Sequence, residues 1–158
     1  MHACIEILPA MRVCFVRNVG PYTDAGKAWE KLCSWAGQSG LMGPHTQFIG
    51  LCHDDPEVTP AAKLRYDACM TVDRAVQPDG EAGVQEIGGG EYATTRHVGP
   101  YETLVTTYGR LCGEWLPAHG REPAAGPCIE FYRNDPKSTP PGELVTDIYV
   151  PVEGSRKA

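Results

Sequence analysis

The hexamer Arg17-Asn18-Val19-Gly20-Pro21-Tyr22 returns later in the chain as Arg96-His97-Val98-Gly99-Pro100-Tyr101, and the match spreads to either side. Laid without a gap on 92–115, residues 13–36 keep Arg17, Val19, Gly20, Pro21, Tyr22, Leu32 and Cys33. With the offset one residue larger, 48–72 laid on 128–152 keep Ile49, Asp55, Pro56, Thr59, Pro60, Leu64, Asp67 and Val72. Average amino-acid usage would give about three matches over these stretches. The chain is therefore a duplication, and its fold must be one that can be built twice. The one-residue change of offset is assigned to the loop after the first helix of each copy, where insertions are tolerated.

A chain of 158 residues falls within the size of one ordinary domain, whose two halves share a core too large for either alone. The first repeat spans about 1–72, the second about 84–153, and the polar, turn-rich stretch 73–83 reads as the linker. A formal net charge of -6 argues against a nucleic-acid partner, whose backbone calls for clustered Lys and Arg. It leaves cationic partners open. The seven cysteines are odd in number and scattered, without a CxxC pair or finger spacing, which fits a reducing cytoplasm. No stretch approaches the apolar length of a membrane span, and the N-terminus lacks the pattern of an export signal.

Residues 3–8 and 12–19 read as strands joined by Pro9-Ala10. Gly20-Pro21 ends the strand and starts a helix to about Gly37. Its apolar positions Ala25, Trp29, Leu32 and Ala36 recur at helical spacing. The second copy repeats the stripe as Leu104, Tyr108, Leu111 and Trp115, closed by Pro117. Trp29 and Tyr108 read as core. Strands follow at 47–53 and 128–133, then a shared Asp-Pro-x-x-Thr-Pro connector with Thr as N-cap, then strands at 65–72 and 145–152. Gly88-Gly89-Gly90 is a turn between strands. It lacks the Lys-Ser/Thr and following helix of a phosphate cradle, so no nucleotide cofactor is expected.

Alternation along the strands places Ile49, Leu51, Ile129 and Phe131 under the helices. Cys128, Glu130 and Tyr132 then occupy the opposite face, with Phe48, Gly50 and Cys52 as counterparts and Tyr149 and Cys69 pointing the same way. Glu130 is a mid-strand carboxylate between apolar neighbours, and the other repeat has Gly50 at its position. On a wet strand face an acid needs no explanation. In an aromatic-lined concavity it is a site for a bulky cation, to which rings add roughly 0.5 to 2 kcal/mol each. The candidate ligand-binding residues are Glu130, Tyr132, Tyr149, Phe48, Trp35, Tyr66 and Cys128. His53 and His97 read as surface histidines, the thiols as inert, and no metal site is expected. Arg17 and Arg96 read as structural hydrogen-bond donors.

The duplicated Arg-x-Val-Gly-Pro-Tyr, the run Ile129-Glu130-Phe131-Tyr132-Arg133-Asn134-Asp135-Pro136 and the segment Thr146-Asp147-Ile148-Tyr149-Val150-Pro151-Val152 together resemble the GyrI-like family, which includes the effector-binding domains of BmrR- and Rob-type multidrug regulators. The resemblance covers essentially the whole chain. It implies an α+β fold of duplicated βαββ units with pseudo-twofold symmetry: an antiparallel curved sheet with two helices on one face and a ligand cleft on the other. It also implies that Glu130 meets cationic, aromatic ligands. Regulators of the family carry a separate DNA-binding domain, for which the repeat leaves no residues here. Some stand-alone members resemble DNA gyrase inhibitors that act on a protein partner. Others are similar to hydrolases of cyclopropane-containing toxins, in which Glu130, Tyr132 and Tyr149 would be the catalytic candidates. Fold alone does not choose among these.

Overall fold

The structure, a computed structural model, describes residues 1–154. It is α+β, with eight strands: β1 Ala3–Leu8, β2 Met11–Val19, β3 Phe48–Cys52, β4 Arg65–Thr71, β5 Ala82–Ile87, β6 Gly90–Val98, β7 Cys128–Tyr132 and β8 Val145–Pro151. Helix α1 spans Gly26–Gln38 and α2 Leu104–Arg110, each preceded by one 3-10 turn, Tyr22–Asp24 and Tyr101–Thr103. Among the described residues no helix is long and apolar enough to cross a membrane.

Contacts divide the chain into two units, one of residues 10–88 and the other of 1–9 with 89 onward. We call them the Gly50 unit and the Glu130 unit. The Gly50 unit is an antiparallel sheet of order β3-β4-β2-β5 with α1 packed on it. The Glu130 unit has the order β1-β6-β8-β7 and carries α2. These contacts do not follow the sequence repeat throughout. The leading strand of each repeat joins the other unit: β1 pairs with β6 and not β2, while β5 pairs with β2. Residues 82 and 83, read as linker, are the start of β5. Gly88 and Gly89, at φ 81° and 80°, form the expected turn before β6.

The repeated hexamer is a joint. Gly20 and Gly99 sit at φ 140° and 141°, which side chains with a Cβ rarely adopt. Their N–H groups donate to the carbonyls of Leu64 and Leu144, both at 2.8 Å. Each Pro that follows opens the 3-10 turn leading into the helix. The Asp-Pro-x-x-Thr-Pro connectors also match between copies. Asp55 Oδ1 accepts from the Glu57 amide at 2.9 Å and Asp135 Oδ1 from Lys137 at 2.8 Å, the side-chain turn that Asp favours. Pro60 and Pro140, not the threonines before them, occupy the cap positions, and neither short helix has a side-chain cap bond.

The change of offset lies inside a helix, not in the loop after it. From Arg110 the second helix runs through a π turn, Leu111–Trp115, into a last α turn, Leu116–Ala118. A π turn is how a helix absorbs one extra residue. At the start of the turn, Leu32 matches Leu111, and both are fully buried. Beyond it, Ala36 matches Leu116, again both fully buried. The helix ends agree with this register. The Leu41 amide donates to Ala36 at 3.0 Å and Arg121 to Leu116 at 2.9 Å, next to Gly40 and Gly120 at φ 66° and 63°. Leu116 therefore takes the core position expected of Trp115, which lies half-buried with its ring stacked on His119.

The core of the Gly50 unit joins Ala28, Leu32 and Ala36 to Val16, Ala68 and Met70. That of the Glu130 unit joins Leu104, Leu111 and Leu116 to Ala93, Ile148 and Val150.

Candidate functional site

The strand faces are the reverse of those expected. Glu130 lies opposite Ile148 on β8, and Ile148 packs with Leu104 and Leu111, so Glu130, Cys128 and Tyr132 face the second helix. Ile129 and Phe131 point to the other side. There Phe131 meets Tyr149 edge-on with ring centroids 5.2 Å apart. In the Gly50 unit Phe48, Gly50 and Cys52 face α1, and Ile49 and Leu51 face away. The cause is that both faces of these short strands are buried. Ile129, Glu130 and Phe131 are 1%, 6% and 3% exposed, and alternation marks a core face only when the other face is wet.

Glu130 is thus a carboxylate in the interior between strand and helix. Tyr108, on α2, donates its hydroxyl to Oε2 at 2.6 Å, and Tyr132 donates to Oε1 at 2.7 Å. Both lengths are typical of a hydroxyl bound to a carboxylate. Tyr101 packs edge-on against Tyr132 at 5.6 Å, and its phenol is pushed up by burial and then by the charge of Glu130. Three tyrosines, supplied by the 3-10 turn, α2 and β7, therefore surround one acid. Such a setting strengthens any interaction of the acid with positive charge, because little water screens it.

Of the residues expected at the site, Glu130, Tyr132 and Cys128 share this interior. Tyr149 is on the other face of the sheet, with its hydroxyl 3.5 Å from Glu6 and its ring edge-on to Tyr92. Phe48, Tyr66 and Trp35 belong to the Gly50 unit. Tyr66 accepts from Trp29 Nε1 at 3.1 Å, Trp29 packs edge-on to Phe48, and Trp35 Nε1 donates to Asp79 at 3.3 Å. Tyr108, core by its helical spacing, also places its hydroxyl directly on Glu130. The signal available was a tyrosine in a helical stripe where the other copy carries tryptophan.

A second set of acids serves the fold. Asp67 is fully buried and takes Arg17 at 2.7 and 3.0 Å, His53 at 2.7 Å and Gln85 at 2.9 Å. Burial pushes its carboxyl up, but the bonds from His53, Arg17 and Gln85 outweigh this and hold it well below the usual range. In the Glu130 unit Asp147 takes Arg96 at 2.8 and 3.0 Å and Arg133 at 2.8 Å, and its carboxyl is lowered in the same way. The two arginines of the repeat are structural, as expected. The histidines are not surface groups: His97 is buried against Thr103, Thr107 and the Pro100 carbonyl, and His53 is bound to Asp67. Burial pushes the Cys14 thiol up to about 11 and also raises that of Cys69, leaving little thiolate at neutral pH. Among the described residues no cluster of His, Cys, Asp and Glu is arranged to hold a metal ion.

A family model described as "GyrI-like small molecule binding domain" matches residues 3–153. The "Probable transcriptional regulator YgiV" of Escherichia coli (strain K12) is 34% identical over 125 residues, 77% of this chain and 78% of that protein. A "DNA gyrase inhibitor" of Erwinia billingiae (strain Eb661) is 32% identical over 139 residues, 85% and 86% of the two chains. The C-terminal domain of EcmrR superposes with a TM-score of 0.77 at 22% identity, covering 98% of both chains. In the EcmrR–DNA complex the superposition has a TM-score of 0.83 at 21% identity and covers 98% of this chain. It takes in 58% of the EcmrR chain, so this chain spans a little over half of that protein's length.

Proposed function

Because the chain belongs to the GyrI-like family of small-molecule-binding domains, we propose that it binds aromatic cations, with Glu130 as counter-ion and Tyr101, Tyr108 and Tyr132 as walls. The observation that carries this reading is a carboxylate 6% exposed and gripped by two tyrosine hydroxyls. The hydroxyls fix both carboxylate oxygens, and the rings offer faces to which a delocalised cation is attracted. None of its seven cysteines is joined in a disulfide, which supports a reducing, cytoplasmic setting.

Tetraphenylphosphonium is the natural probe: the structural neighbour SAV2435 was solved bound to it (TM-score 0.60, 16% identity, covering 98% of this chain and 95% of that one). Glu130→Gln keeps the shape and removes the charge. Losing one member of a desolvated charge pair costs about 2 to 5 kcal/mol, or roughly thirty-fold and upward in affinity. Titration by intrinsic tryptophan fluorescence measures it, and equal affinities for the two proteins sink the counter-ion role.

Identity of 32% to a DNA gyrase inhibitor over 85% of the chain supports a second reading, in which the domain acts on gyrase itself. Supercoiling by purified gyrase then falls on adding the protein. Unchanged supercoiling at molar excess removes this reading.

A further inference from the structure

Thr146 is 0% exposed, and its Oγ1 makes no hydrogen bond to any described protein group. Interior hydroxyls nearly always have a partner, and one without a partner calls for an explanation. Thr146 lies opposite Tyr132 on β7 and opposite His97 on β6, while Ile148, two residues on, lies opposite Glu130. The strand period of two therefore puts Thr146, Tyr132 and Glu130 on one face, with Thr146 and Glu130 as diagonal neighbours within reach of a shared ligand. Neither adjacent polar group turns to it. Tyr132 gives its hydroxyl to Glu130, and His97 is engaged by Thr103, Thr107 and the Pro100 carbonyl. In the other repeat the equivalent residue is Tyr66, whose hydroxyl accepts from Trp29. The position is polar in both copies.

We infer that Thr146 is a specificity-determining residue of the Glu130 site, its hydroxyl accepting a hydrogen bond from the bound cation. The site then favours an aromatic cation that carries N–H donors over one whose charge is wrapped in hydrocarbon. This inference rests on the counter-ion reading above. Glu130 recognises charge, and Thr146 recognises a donor beside it.

Two probes separate the roles: tetraphenylphosphonium has no hydrogen-bonding group, whereas ethidium is an aromatic cation with two aryl amines. Thr146→Val keeps the shape of the side chain and removes the hydroxyl. It is expected to weaken ethidium about five- to tenfold, the scale of one net hydrogen bond, and to leave tetraphenylphosphonium within about twofold. Thr146→Ser, which restores the hydroxyl, is expected to recover ethidium binding. Equal losses for both probes would mean a packing role and overturn the inference, as would no loss for either, or a wild-type protein that binds the phosphonium but not ethidium. Glu130→Gln run in parallel is expected to weaken both probes. If it weakens neither, the counter-ion reading fails and takes this inference with it. If it weakens both while Thr146→Val changes nothing, only the role of Thr146 is lost.

Discussion

The Gly50 and Glu130 units are built from the same repeat, and they part company in the interior between strand and helix. In the Gly50 unit that space is filled by rings that satisfy one another: Trp29 donates to Tyr66 and meets Phe48 edge-on, with Tyr22 tilted against Tyr66 at 6.0 Å. The equivalent places in the Glu130 unit hold Tyr108, Thr146, Cys128 and Tyr101. Three of the four are smaller, and the acid stands where glycine stood. What the units share is the glycine joint, the Asp-Pro connector and the Arg–Asp pair, and all of these organise the chain. The differences gather round one carboxylate. On the proposed function, shared features belong to folding and unshared ones to binding, a division that experiment can break.

The largest expected effect is at a shared feature. Asp67→Asn removes the acceptor that Arg17, His53 and Gln85 share at a fully buried position; breaking a buried pair from one side costs about 3 to 5 kcal/mol, and the 40% exposure of Arg17 places the loss near the lower end of that range. Asp147→Asn should cost less, because Asp147 is itself 13% open to water where Asp67 is 0%, and both its partners are over a third exposed whereas His53 beside Asp67 is 15% exposed. Urea unfolding at neutral pH checks the order. The pH dependence has a definite sign. The carboxyl of Asp67 is depressed in the fold, so its contribution is present above the ordinary aspartate value near 4 and is lost as pH falls toward the folded value. Wild type should lose more stability than Asp67→Asn between neutral pH and pH ~3. Parallel losses would contradict the assignment.

Next in size is the interior itself. Tyr108→Phe removes a hydrogen bond to a carboxylate, about 1.5 to 3 kcal/mol, and Tyr66→Phe removes one between neutral groups, about 0.5 to 1.5 kcal/mol. Equal effects would mean that the acid adds nothing to the interior of its unit. The smallest difference between the units is expected at the joint. Gly20→Ala and Gly99→Ala each force a Cβ into a φ near 140°, a strain of order 1 to 3 kcal/mol. The two should shift thermal unfolding alike, since both units use the joint in the same way.

Most of the architecture was legible because it is written twice. Helices, connectors and the glycine joint could be read in one copy and checked in the other. The π turn was missed although a trace of it was present: shifting the offset just after Cys33 aligns Trp35 with Trp115, whereas a shift in the loop leaves them apart. The exchange of β1 and β5 leaves no local mark, since two leading strands that precede the same joint are interchangeable by pattern. Alternation inverts the strand faces because apolar side chains line both sides of β3 and β7. That inversion puts Tyr149 beside Glu130 and hides Tyr108, whose ring fits a helical core stripe while its hydroxyl reaches across to the sheet. Glu130 itself was found by comparing the repeats. Thr146 was within reach of the same comparison, as a small hydroxyl set against Tyr66.

The central claim is that Glu130 selects for positive charge. Tetraphenylphosphonium and tetraphenylborate share one shape with opposite charge, so calorimetric titration of both against wild type and Glu130→Gln isolates the charge. Wild type should prefer the phosphonium by about a hundredfold or more, the scale of a desolvated charge pair, and most of that preference should vanish in Glu130→Gln. A preference that survives the substitution, or a wild-type protein that binds the two ions alike, would contradict it.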